Sequence, residues 1–75
     1  MLLRELVINE NVLTLNEIGD SYIIELKDKD GRNLFFHEYA DYEDIRETLD
    51  LIVKEYEEKV ITITSLLGIL KDSKK

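Results

Sequence analysis

Apolar and polar positions along this chain change period several times, and each change marks an element. From Asp41 to Lys59, Tyr42, Ile45, Leu49, Ile52, Val53 and Tyr56 recur at spacings of three and four. At 3.6 residues per turn they form a single stripe, so the spacing predicts an amphipathic helix. Asp41 is the natural N-cap, because its carboxylate can accept orphan backbone N–H groups. Glu43 and Asp44 follow in the first turn and Lys59 stands at the far end, as the helix dipole prefers. At 1.5 Å per residue the stretch makes a rod of roughly 28 Å, long enough to lie across a small sheet.

Before it, the texture is β. Leu2 to Ile8 is dense in apolar residues and ends in the turn-forming cluster Asn9-Glu10-Asn11, after which Val12 to Leu15 resumes with period two. Gly19-Asp20 carries the chemistry of a type II′ hairpin turn, and a third strand follows over Tyr22 to Lys27. Asp28-Lys29-Asp30-Gly31-Arg32-Asn33 is a turn, and Leu34 to Tyr39 the fourth strand. A loop of even length about Asp30-Gly31 pairs Leu26 with Phe35, Ile24 with His37 and Tyr22 with Tyr39; an odd loop pairs Leu26 with Phe36 instead. Phe35 and Phe36 are both apolar, so a one-residue slip exchanges them between faces and the register stays open.

After the helix, Val60-Ile61-Thr62-Ile63-Thr64 alternates apolar and polar with continuous β-branching, which predicts a fifth strand. Ser65 then caps a short turn of helix over Leu66 to Leu70. Helix through 60–70 is the rival reading, opposed by Gly68 and the β-branched run. The expectation is an α+β domain spanning 1–75: an antiparallel meander of about four strands packed by one long amphipathic helix, with a C-terminal strand or short helix.

Composition narrows what such a domain can be. With 75 residues and no cysteine, one small core must hold the fold without disulfides or thiolate zinc, unless a second copy helps. No apolar run approaches the roughly 20 residues of a spanning helix. The N-terminus Met1-Leu2-Leu3-Arg4-Glu5 lacks the basic start and cleavage site of a signal peptide, so a cytoplasmic soluble protein is expected. The net charge of −7 is concentrated in the long helix and its approach, where residues 38–59 hold nine acids against three bases. Nucleic acid and anionic membranes need a basic footprint and are disfavoured as direct partners, whereas a basic protein surface is favoured.

Candidate chemistry is thin. Asp28-Lys29-Asp30-Gly31 opens like a calcium loop, but the glycine falls at the fourth position rather than the sixth, and Tyr39 stands at the twelfth where a bidentate Glu is needed. His37-Glu38-Tyr39-Ala40-Asp41 echoes a helical zinc motif, yet Asp replaces the second His and the segment reads as strand, which separates neighbouring side chains. His37 alone, without a nucleophile or an orienting carboxylate in a cleft, makes no active site. The glycines are isolated, so no phosphate loop exists, and the four tyrosines lack the basic grooves that base-stacking platforms use. No catalytic residue, cofactor or metal is expected.

The one irregular position is Leu51. Stepping about 100° per residue places it opposite the buried stripe, in a column with Asp44, Glu47, Glu55 and Glu58. An apolar side chain inside an acidic ring has the composition of a small protein-docking site, the ring giving orientation and on-rate and the leucine local affinity. In size and acidity the chain resembles phage-encoded inhibitors of host nucleic-acid enzymes, a likeness of type that no motif carries. It implies a viral inhibitor that docks its acidic helix on a basic, nucleic-acid-binding protein. The alternative is a homo-oligomeric structural or accessory domain, a homodimer formed through the apolar segment Val60 to Leu70 or through an open sheet face.

Overall fold

The structure, a computed structural model, describes residues 1–74. Four antiparallel strands, β1 (Leu2–Ile8), β2 (Asn11–Ile18), β3 (Ser21–Lys27) and β4 (Asn33–Tyr39), are followed by helices α1 (Glu43–Glu57) and α2 (Ile63–Asp72). Sheet order equals chain order, so every strand pairs with its sequence neighbour. The architecture is α+β, as the periodicities predict.

Turn chemistry sets the meander. Ile8 pairs with Asn11, leaving Asn9 and Glu10 as a two-residue loop with φ of 51° and 69°, the doubly left-handed backbone of a type I′ turn. Ile18 pairs with Ser21 around Gly19, whose φ is 60°, and this is the turn its Gly-Asp pair predicts. In the third turn the Asp28 carboxylate accepts backbone N–H groups from Asp30 and Arg32, both at 2.9 Å. The Arg32 bond, ahead of the Asp30 bond, holds the Asp28 carboxyl below its ordinary pKa of 3.8 despite some desolvation. A carboxyl whose folded-state pKa is depressed stabilises the fold above its unfolded pKa and stops doing so as pH falls through the folded value. Carboxyl NMR titration should therefore place the Asp28 midpoint below 3.8, and Asp28→Ala should remove this part of the acid sensitivity.

The register that the paired phenylalanines left open is decided by a bulge. Leu26 faces Phe35, Ile24 faces His37 and Tyr22 faces Tyr39, the even-loop register, but next to the turn Lys27 pairs with Asn33. Leu34 is thus the extra residue. Phe35 enters the core at 7% exposure, while Phe36 is 53% exposed on the opposite face.

One sheet face supplies Ile8, Leu13, Leu15, Ile24, Leu26, Phe35 and Tyr39 to the core. The helices supply Ile45, Leu49, Ile52, Leu66 and Leu70. α1 begins beside Tyr22, whose ring meets Tyr42 edge-on at 5.5 Å. Its far end reaches the β1–β2 turn, where Tyr56, Lys59 and Ile61 share a hollow with Val7, Ile8 and Asn9. α2 returns over β4, its end held by a hydrogen bond between the Ser73 and Tyr39 hydroxyls.

Both helix ends differ from the expected span of 41–59. The helix has 15 residues. Asp41 is not the N-cap expected of it: that position falls to Tyr42, which is already in helical backbone and makes no side-chain cap, while the Asp41 carboxylate accepts the Glu43 N–H at 3.2 Å from one residue earlier. At the other end Lys59 takes φ 60° and stops the helix instead of extending it. Its N–H bonds to Tyr56 O at 3.2 Å and that of Val60 to Glu55 O at 3.1 Å, the crossed pair that closes a helix in a Schellman motif.

The predicted fifth strand does not form. Val60 and Ile61 belong to no strand, and Thr62 caps α2 through a reciprocal pair: its hydroxyl accepts the Ser65 N–H at 3.1 Å, and its own N–H donates to Ser65 Oγ at 3.0 Å. Ile61 before the cap and Leu66 after it occupy the positions of a hydrophobic staple. The physical reason is burial: as a helix this segment brings Leu66 and Leu70, one helical turn apart, into the common core at 0% exposure. Gly68 is tolerated inside this helix, not required, since a Cβ there meets nothing within 4 Å. Gly68→Ala should stabilise the domain by about 0.5–1 kcal/mol, read as a higher urea midpoint at unchanged slope.

Candidate protein-binding surface

The column expected on α1 is present, but α2 reshapes it. Asp44 and Glu47 are exposed on the first half of the helix, and Glu58 is exposed as the residue that ends it. Glu55 is half-buried, and its carboxylate accepts a hydrogen bond from Ser65 Oγ at 3.4 Å across the two helices. It is therefore partly committed to the fold. Leu51 is 44% exposed, yet it is no isolated knob. It lines a hollow of about 220 Å³ between α1 and α2 together with Glu47, Thr48, Ile69, Asp72 and Ser73.

The geometry follows from local sequence. Leu51 and Glu47 are one turn apart on α1, while Ile69 and Asp72 are three apart on α2, so each helix turns one apolar and one acidic side chain to the same groove. Beyond Glu47 and Asp72 the groove runs on into a polar hollow bordered by Asp44, Glu43, His37 and Lys74. Lys74 is partly occupied elsewhere, its ammonium lying 5.6 Å from the centre of the Phe35 ring. Ion pairs among the described residues are Lys27–Glu25, Arg32–Asp30 and Arg46–Glu43. Glu47 and Asp72 have no cation within 4 Å there.

His37 packs edge-on against Tyr39 at 4.7 Å between ring centres. Burial pushes the Tyr39 phenol above its ordinary pKa, with the Ser73 hydrogen bond opposing the shift. Among the described residues, no three His, Asp or Glu side chains converge where a metal ion would sit. No described helix is long and apolar enough to cross a membrane. Ile69, Asp72 and Ser73 are not legible as site residues: Ile69 falls in the short helix expected over Leu66 to Leu70, but with a strand expected before it nothing lays that helix along α1, and the Thr62-x-x-Ser65 spacing is the signal for the longer helix. Comparison with known proteins brings no match, since no family model, curated protein or solved structure is significantly similar to this chain.

Proposed function

We propose that this domain is a non-catalytic protein-binding module that docks the outer face of α1 and the adjoining groove on a basic surface of another protein. The finer form of the reading is an inhibitor of the viral kind, acting in the cytoplasm on a nucleic-acid-binding protein. The observation that carries it is the groove itself, lined by Leu51 and Ile69 together with Glu47 and Asp72, whose carboxylates pair with no cation among the described residues. Carboxylates steer a basic partner and fix its orientation, while desolvated apolar contact supplies affinity.

The test is capture from cell extract on the immobilised domain, compared with Leu51→Asp, Glu47→Lys and Glu55→Lys after circular dichroism has confirmed each fold. The parent should retain a basic protein that Leu51→Asp and Glu47→Lys lose. Glu55→Lys should weaken capture less, because Glu55 is already bonded to Ser65. Raising salt from about 0.1 M to about 1 M cuts the Debye length from about 10 Å to about 3 Å and should release the protein. Retention indifferent to all three variants and to salt would place the interface elsewhere.

A second reading, a homo-oligomeric structural or accessory domain, is favoured by the outer sheet face, where Val7, Ile18 and Phe36 are 55%, 59% and 53% exposed. Of the two seams expected for a homodimer, the segment 60–70 is largely used by the monomer core through Leu66 and Leu70. In that segment Val60 is 59% exposed and Ile61, Ile63, Leu67 and Ile69 are only partly buried, and the sheet face is the other surface open to a second copy. A monomer in sedimentation at high micromolar concentration would remove this reading.

A further inference from the structure

We infer that the α1–α2 groove is a receptor for one arginine side chain of the partner. The side chain's aliphatic stem rests on Leu51 and Ile69, and its guanidinium sits between Glu47 and Asp72. This deepens the docking reading above and rests on it.

Charge complementarity selects the occupant. Two carboxylates carried by different helices border one hollow, and the ion pairs of the described residues leave both without a cation. Opposed like charges raise each other's cost, so the groove is most favourable when a cation enters. The walls then discriminate between cations. An ammonium is a compact, strongly hydrated charge, whereas a guanidinium is planar, weakly hydrated and able to bond two acceptors in different directions. Beside two apolar side chains the less hydrated cation loses less on entry. A purely apolar side chain would cover Leu51 and Ile69 but desolvate the carboxylates without a partner. The Ser73 hydroxyl is held within the fold, donating to Leu70 O at 2.6 Å and paired with the Tyr39 hydroxyl, so the two carboxylates are the charged acceptors of the groove.

The experiment needs no natural partner. The isotopically labelled domain is titrated with the capped tripeptide Gly-Arg-Gly, with Gly-Lys-Gly and with Gly-citrulline-Gly, the last being a neutral match to arginine in shape. Arginine-specific shifts should concentrate at the amides of Thr48, Leu51, Ile69 and Ser73, with lysine weaker by about threefold or more and citrulline without effect. The double variant Glu47→Gln with Asp72→Asn, unchanged by circular dichroism, should lose those shifts. Equal shifts for arginine and lysine spread along the acidic residues of α1, equal shifts for citrulline, or none at millimolar peptide each overturn the inference. Capture that still depends on Glu47 and Leu51, with no arginine-specific shift, overturns this inference and leaves the docking reading standing. Capture indifferent to both residues overturns the docking reading itself.

Discussion

Ile52→Ala is expected to destabilise the domain by about 2–5 kcal/mol, the range for truncating a fully buried aliphatic side chain. Ile52 has 0% exposure and sits with Ile45 and Leu49 on the face of α1 that meets the sheet. At roughly 0.05–0.15 kcal/mol per residue, a domain of this size holds about 4–11 kcal/mol in total. The substitution therefore removes a large share and can unfold a population at room temperature. The core has few places to absorb the loss, because 12 of the described residues make up its buried set. Urea titration with fluorescence or circular dichroism reads the change as a midpoint shift at constant slope. A loss below about 0.5 kcal/mol would mean that the stripe on α1 is not core.

The elements that sequence patterning predicted well are those where periodicity and turn chemistry agree. Gly19 and Gly31 both carry positive φ at the expected turns, 60° and 85°. Within α1, Ile45, Leu49 and Ile52 are the buried centre of the expected stripe, while Tyr42 and Tyr56 at its ends are each 39% exposed. The register of β3 on β4 was illegible for a definite reason: Phe35 and Phe36 fit either face, and a bulge at Leu34 then lets an odd loop coexist with the even register beyond it. A bulge is a property of the paired backbone and leaves no period in the sequence.

The misreading at the C-terminus has a different origin. Five β-branched or alternating residues suit a strand, but strand propensity expresses fit to a pleated surface, and here the sheet already has its four strands. The tertiary requirement to bury Leu66 and Leu70 in the common core outweighed local preference, aided by the Thr62–Ser65 caps. That same error hid half of the candidate site. Leu51 read as a knob on a helix, whereas the presence of Ile69 and Asp72 across the groove makes it a wall. The acidic column was legible because it lies on one helix; the groove was not, because it needs two.

Leu66→Ala carries the second large effect and separates core from seam. If the apolar segment 60–70 served mainly to join two copies, its residues would be exposed in one chain, and the thermal midpoint of the parent would climb with protein concentration, as binding linkage requires. Leu66 and Leu70 instead have 0% exposure within a single chain. α2 has 10 residues, too short to be stable alone, since isolated helices below roughly 12–15 residues are marginal even in favourable sequences. It holds because Leu66 and Leu70 enter the common core and because Thr62 and Ser65 close its first turn. Truncating Leu66 removes core packing and loosens the helix together. The expected cost is about 2–5 kcal/mol, with a parent midpoint that does not move with concentration. The groove lies at the other end of α2, so the variant should also weaken capture of a basic partner as α2 frays and Ile69 and Asp72 lose their position. A cost below about 0.5 kcal/mol together with a parent midpoint rising steeply with concentration would return the segment to an interface between copies.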